Sequence, residues 1–452
     1  MSTTGPAPER VEGRALTLVA MSLGFGVVQL DVSVVNVAIR AIGSALGGTV
    51  SDLQWVVNAY TVTFAAFILT AGALGDRVGA RRLFVAGFAL FMVASAACGL
   101  APSLPALIAA RAVQGTAAAV LVPSSLTLLN HAYTEPAARG RAVGRYLAGA
   151  SLALAGGPLI GGLLIAAFGW RAIFFINVPL ALAGIALTLA VAPETTRSRE
   201  RRVDRVGQPL AVMCLALLVA ATIEGGTRGF GAPPVLGGFG LAALALAAFL
   251  LAERRGRDPM LPLSLFASRA FSVSAAIGLL VNIAFYGLIF LFSLFFQRVQ
   301  GHGPLGTGLR LAPVMAAVGT ANLLAGRLAE RLGPPRAIAL GGLALAAGAA
   351  GLLGIGTSTA YAAVVVQLAL LGLGGGIVIP VVTAQLMGAA PRSRSGVAAG
   401  TLNTLRQTGS AIGVALFGAL ASGSFVAGAR LSLAIATGLA AALAAGALLM
   451  RG

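Results

Sequence analysis

There is no lysine anywhere in this sequence, and Cys, Trp and His occur only twice each among its 452 residues. Cys98 and Cys214 lie within apolar runs, at neither disulfide nor metal-ligand spacing, and read as inert packing residues. His131 and His302 stand far apart, and no Ser–His–Asp grouping or metal-ligand set accompanies them. They read as interface or loop residues, and the chain reads as no enzyme, with no metal and no cofactor. No nucleotide-binding loop is present, which argues against ATP as the energy source. Charged residues make up 10% of the chain, against about a quarter in a typical soluble domain. Too few polar side chains remain to cover a water-facing surface, so lipid must be part of the solvent.

What is there is 58% hydrophobic residues and a mean hydropathy of +0.94. The apolar runs are long, continuous and rich in Ala, Leu and Gly. That pattern excludes a transmembrane β-barrel, whose strands alternate over short lengths. A helix satisfies its own backbone in hydrocarbon and needs ~20 such residues to cross it. The net charge of +18 could suggest nucleic acid, but the arginines cluster in short segments between the runs. They read as topology signals for membrane insertion, with the lipid bilayer and not nucleic acid as the partner. The first run lacks a convincing cleavage site and is long enough to remain as a span.

The runs predict fourteen spans, near 15–39, 52–74, 83–100, 104–129, 142–167, 171–191, 208–223, 233–252, 270–296, 304–325, 337–356, 359–388, 395–420 and 430–449. With the N-terminus inside, 23 of the 31 arginines fall in inside segments. Five (Arg40, Arg171, Arg228, Arg298 and Arg430) fall outside, and Arg111, Arg310 and Arg406 lie within runs. This alternation predicts both termini in the cytoplasm of a multi-pass protein of the cytoplasmic (inner) membrane.

An internal repeat divides the chain. Gly72-Ala-Leu-Gly-Asp-Arg-Val-Gly-Ala-Arg-Arg82 closes the second span, and Gly326-Arg-Leu-Ala-Glu-Arg-Leu-Gly-Pro-Pro-Arg336 closes the tenth. Repeats of this kind mark transporter halves that rock around a midplane site. The expected all-α layout is therefore 6 + 2 + 6. Residues 1–192 form the first half, 193–269 a linker with two inserted helices, and 270–452 the second half. The segment from Pro193 to Val206 reads as a plain solvated linker.

Several motifs carry a family resemblance. The first loop motif resembles the major facilitator signature between spans two and three. Arg111-Ala-Val-Gln-Gly115 resembles that superfamily's fourth-span motif, and Gly149 to Gly162, ending Gly156-Gly-Pro-Leu-Ile-Gly-Gly162, its antiporter motif. Leu30-Asp-Val-Ser-Val-Val-Asn-Val-Ala38, Gly169-Trp-Arg-Ala-Ile-Phe-Phe-Ile-Asn-Val-Pro179 and Asn403-Thr-Leu-Arg-Gln-Thr-Gly409 are similar to the fourteen-span drug:proton antiporters. Among these, exporters of the methylenomycin A resistance type look most alike. The chain departs from the pattern at Arg40, where Pro is usual, and at Ala80, where a basic residue is common.

The resemblance implies a cytoplasmic gate at Gly72, Asp76, Arg77, Gly79, Arg81, Glu330 and Arg331. It implies proton coupling through Asp31 and Arg111. It also implies a pliable seal at Gly149, Gly157, Pro158, Gly161 and Gly162, where the plain alternative is a packing kink. Read from the residues alone, Asp31 is the one acid deep in a span. A carboxylate there is costly unless paired, protonated or facing water, so a proton site and a structural ion pair with Arg111 both fit. Ser22, Gln29, Ser33, Asn36 and Arg40 form a polar stripe on the opposite face of that helix, with no assigned neighbour. Polar stripes in spans two (Gln54, Asn58, Thr61), nine (Asn282, Tyr286, Ser293, Gln297) and thirteen (Asn403, Arg406, Gln407, Ser410) fit a substrate path or simple interhelical hydrogen bonds. Gln114, Asn282, Tyr286, Asn403, Arg406 and Gln407 are the substrate-path candidates. The expected function is proton-driven export of a small amphipathic drug, antibiotic or toxic metabolite by a monomer. Its partners are that small-molecule substrate, protons and the bilayer. A metabolite uptake or exchange carrier and a non-transporting membrane sensor are the competing readings.

Overall fold

A computed structural model describes residues 8–194, 204, 206–256, 259–261, 263–389 and 395–449. The expected linker falls largely outside these, as does the side chain of Asp76. Regular structure among the described residues is helical throughout. The first group is α1 (Pro8–Leu46), α2 (Val50–Val78), α3 (Ala80–Leu100), α4 (Leu104–Ala132), α5 (Pro136–Phe168), α6 (Ala172–Phe175) and α7 (Asn177–Val191). Then come α8 (Gly207–Arg228), α9 (Pro233–Arg255), α10 (Arg269–Leu294), α11 (Pro304–Leu332), α12 (Pro334–Ala350), α13 (Ala362–Ala389), α14 (Ser395–Leu420) and α15 (Phe425–Leu448). A 3₁₀ turn at Leu263–Ala267 leads into α10, and a π-helical turn at Phe295–Val299 extends it.

Twelve of these segments, with α6 and α7 counted as one rod over Ala172–Val191, are long and apolar enough to cross a bilayer. The difference from fourteen rests on α12 and α14. The first has 17 residues, and the second carries Asn403, Arg406 and Gln407 in its middle. The seventh expected span, 208–223, proves longer: α8 runs from Gly207 to Arg228, where Glu224 pairs with Arg228 one turn on. The start of α2 is held by Thr49 and Asp52, and not by Ser51. Ser51 is no cap; its hydroxyl is buried without a partner. Thr49 caps the helix, accepting from the Asp52 amide at 3.3 Å while Asp52 accepts from the Thr49 amide at 2.8 Å, a reciprocal pair that satisfies two orphan donors.

Buried aliphatic and aromatic side chains gather into a large core among α10–α15, a second among α1–α7, and a third that joins α1–α6 to α10 and α14. In the first group α1 packs on α5, α4 and α7, α2 on α4, and α3 on α4 and α7. In the second α10 packs on α13, α14 and α15, α11 on α13, and α12 on α13 and α15. The groups meet mainly where α5 lies on α11 and α2 on α14. Helix α8 leans on both α2 and α14, and α9 packs on α8 with Leu236, Leu241, Leu244 and Leu251 exposed. Such a leucine-rich exterior has no place in water and suits lipid tails.

The internal repeat is a backbone repeat as well. Gly79 and Gly333, equivalent in the two motifs, both take positive φ (+102° and +79°) as the single residue joining α2 to α3 and α11 to α12. A side chain would strain that corner, which explains the residue type.

Candidate functional site

Asp31 lies on the face of α1 turned toward α3, α4 and α7, and its side chain is wholly shut from solvent (0% exposed). Its Oδ2 accepts from Nη1 of Arg111 at 2.5 Å. Its Oδ1 accepts from Gln114 Nε2 at 2.9 Å and from Asn177 Nδ2 at 3.0 Å. Arg111 and Gln114, three residues apart on α4, share one helix face, and Arg111 Nη1 also donates to Gln114 Oε1 at 2.6 Å. Arg111 Nε donates to the carbonyl of Val56 on α2 at 3.0 Å. Ser95 Oγ on α3 accepts from Gln114 at 2.8 Å and from Asn177 at 3.3 Å. The Arg111 guanidinium lies 4.3 Å from the Tyr60 ring centre and 5.9 Å from that of Phe174. Five rods thus converge on one ion pair, and the break between α6 and α7 puts Asn177 at its edge.

A buried pair survives only when its remaining lone pairs and protons are met, and here most are. Removing either charge leaves the other in low dielectric. Protonation of Asp31 would do so reversibly, leaving Arg111 with only the Val56 and Gln114 oxygens. The arrangement ties the charge of Asp31 to side chains and carbonyls on four neighbouring rods.

Several residues fall where the sequence suggested and others do not. Arg111 is the partner of Asp31, as expected. Gln114, a substrate-path candidate, is instead buried inside the ion-pair cluster. Part of the polar stripe of α1, Asn36 and Arg40, finds its neighbours at the group interface. Ser22 and Gly149 line an apolar cavity of about 480 Å³ between α1 and α5. Asn36 accepts through its carbonyl from Ser293 Oγ and from Gln297 Nε2 (3.3 Å). Arg40 donates its amide to Gln297 Oε1 at 3.2 Å and its guanidinium to the Gln297 carbonyl. So two of the four span-nine stripe residues cross-link α1 to α10. Gln54 donates to the carbonyls of Val414 and Ala415 at 3.0 and 2.7 Å, which ties α2 to α14.

At this Arg40 end, α5 is wedged between α1 and α11. A Cβ at Gly157 would collide with Ser33 and one at Gly162 with the Pro304–Leu305 backbone, and one at Gly161 would press tightly on Val34. The Pro158 carbonyl abuts Gly308. Small residues therefore set the closeness of three helices. At the opposite end Gly79 approaches Glu194, which pairs with Arg82 at 3.3 Å, while Arg81 donates to the Leu189 carbonyl at 2.5 Å. Arg77, Glu330 and Arg331 are exposed, and Gly72 has open space beside it. Of the remaining candidates, Asn282 donates to Gly278 and Asn403 to Ala399 along their own helices. Tyr286, Arg406 and Gln407 are half-buried.

Three members of the ion-pair cluster had no part in the sequence expectations: Tyr60, Ser95 and Asn177. Asn177 falls within the Gly169–Pro179 motif, so a signal existed. Tyr60 and Ser95 carry none beyond being polar within apolar runs.

Residues 21–414 match the Major Facilitator Superfamily. A methylenomycin A resistance protein from Streptomyces coelicolor is 38% identical over 403 residues, covering 89% of this chain and 84% of the relative. Multidrug resistance protein Stp from Mycobacterium tuberculosis is 37% identical over 405 residues, covering 90% and 75%. The tetracenomycin C resistance and export protein of Streptomyces glaucescens is 33% identical over 405 residues, covering 89% and 75%. The crystal structure of the human organic anion transporter MFSD10 (TETRAN) matches with a TM-score of 0.66 over 99% of this chain and all of that one. At 17% identity that likeness shows the fold alone. With its family match running nearly end to end, the chain belongs to the major facilitator superfamily and is a multi-pass membrane transporter.

Proposed function

We propose that this protein is a proton-coupled antiporter that exports a small amphipathic drug, antibiotic or toxic metabolite across the cytoplasmic membrane. The observation that carries the reading is the wholly buried Asp31–Arg111 pair with its Gln114 and Asn177 donors. Breaking a buried pair costs about 3–5 kcal/mol. A proton on Asp31 therefore supplies enough to shift a two-state equilibrium by roughly two to three and a half decades. Relatives named for drug and antibiotic resistance and export support the direction and the cargo class.

The arrangement we propose has fourteen spans as 6 + 2 + 6, with units 1–192, 193–269 and 270–452 and both termini in the cytoplasm. In that orientation the Arg40 end is extracellular. The Asn36, Arg40 and Gln54 bonds together with the α5 wedge then close the outer side, so the conformation faces inward. The glycines at 149, 157, 161 and 162, with Pro158, act as the seal. Gly72, Asp76, Arg77, Gly79, Arg81, Glu330 and Arg331 form the cytoplasmic gate of the opposite state. Substrate enters from the cytoplasm along Asn282, Tyr286, Asn403, Arg406 and Gln407. Loading of Asp31 from outside and its release inside alternate with cargo moving the other way. The transporter works as a monomer.

Growth of an efflux-deficient host on a panel of antibiotics and toxic metabolites, with and without this gene, tests export. Raised tolerance to at least one compound, with less of it retained in the cells, is expected. Increased accumulation instead would point to an uptake carrier, and no change across the panel to a sensor.

A further inference from the structure

The charges of the membrane interior do not balance. Asp31 is fully occupied by Arg111, Gln114 and Asn177, and no face of its carboxylate is open to a cavity. Of the arginines within apolar runs, Arg310 donates to the Gly306 carbonyl at 3.2 Å and lies 5.5 Å from the Tyr361 ring. Arg406 is different. Among the described residues it has no ion pair and no hydrogen bond, and its Nε, like that of Arg310, is shut from solvent without a partner. The second helix group offers no acid to meet it. From residue 270 onward the sequence holds one acid, Glu330, exposed near the far end of α11. Tyr286 on α10 is the electrostatic neighbour of Arg406, and also of Tyr60 beside the ion pair. Asn403 and Gln407 flank Arg406 on α14. On α2, one turn from the Gln54 that bonds α14, the Asn58 amide has both polar atoms buried and unpartnered.

A half-buried guanidinium without an ion pair favours an anion beside it, and its fork of donors fits a carboxylate with two parallel bonds. A cation placed there finds repulsion from Arg406 and no free carboxylate to offset it. Resting on the exporter reading above, we propose that the exported compound is an organic monoanion whose carboxylate or equivalent acidic oxygens pair with Arg406. Tyr286, Asn403 and Gln407 surround it with further polar contacts.

A charge count makes this testable. One anion leaving while one proton enters moves two positive charges inward per cycle. A neutral cargo moves one, and a monocation none. Inside-out vesicles with a valinomycin-set potassium potential can separate the three cases. The probes are 2-naphthoate, 2-naphthamide and 2-naphthylmethylamine, with further acid, amide and amine triplets on other aromatic scaffolds. The expected result is uptake of the acids, accelerated by a lumen-positive potential even without a pH gradient. Arg406→Gln should cut acid uptake at least tenfold, while Arg406→Lys retains part of it. Uptake of amines but not acids by the unaltered protein, acid uptake indifferent to potential, or unchanged acid uptake in Arg406→Gln would overturn the proposal while leaving export intact. No uptake of any probe by inserted protein, in a host that also gains no tolerance, refutes the exporter reading and this proposal with it.

Discussion

Asp31 and Arg111 meet at 2.5 Å with both side chains excluded from solvent, one on α1 and the other on α4. The cost of separating them links the charge state of a single side chain to the packing of helices α1, α2, α3, α4 and α7.

Their coupling is measurable by stability alone. Asp31→Asn and Arg111→Gln should each destabilise the detergent-solubilised protein, by about 3–5 kcal/mol where an uncompensated charge is left buried. The double variant should recover part of that loss, because neither charge then remains. Thermal unfolding of the four proteins completes the cycle, and strictly additive losses would deny the pair.

Asn177→Leu removes one donor to Asp31 and one to Ser95 while keeping the size of the side chain. A loss of about 1 kcal/mol of stability and a several-fold fall in gradient-driven transport are expected. Equal transport at equal membrane abundance would place Asn177 outside the coupling machinery.

At the Arg40 end the contacts between helix groups are few and specific. Gly162→Val should prise α5 from α11, and Gln297→Leu should release Arg40 and Asn36. Both shift the protein toward its outward-open form. A membrane-impermeant maleimide reading Ser293→Cys, in a background with Cys98 and Cys214 replaced by Ala, should label several-fold faster in either variant. Unchanged labelling would mean the seal lies elsewhere.

Asp76 belongs to the first loop motif, close to the Gly79 corner. Asp76→Asn should slow cycling several-fold while substrate binding is largely kept. Equilibrium binding set beside turnover separates the two, and intact turnover would remove Asp76 from the gate.

Much of this was legible in the sequence, for reasons that differ by residue. Twelve apolar rods follow from hydropathy, because a membrane helix needs no partner to satisfy its backbone. The α12 and α14 rods are less plain, α12 because it has only 17 residues and α14 because Arg406 and its polar neighbours dilute an otherwise apolar helix. Asp31 and Arg111 stood out because charge is rare at such depth. Gln114 was misplaced on the substrate path because an uncharged polar residue has two uses in a bundle, lining a cavity or bonding a neighbour. Spacing on one helix cannot tell these apart. Ser95 and Tyr60 gave no signal, since their role depends on which helices meet. The glycine corners at 79 and 333 repeat in the backbone as they do in the sequence.

The central claim is that one proton on Asp31 drives export, and transport into inside-out vesicles under an imposed pH gradient tests it most directly. Using a compound to which the gene confers tolerance, the unaltered protein should accumulate it in proportion to lumen acidity. Asp31→Asn, inserted to the same level, should still bind the compound yet lose gradient-driven accumulation at least tenfold. Accumulation by Asp31→Asn that follows the gradient as the unaltered protein does would contradict the account.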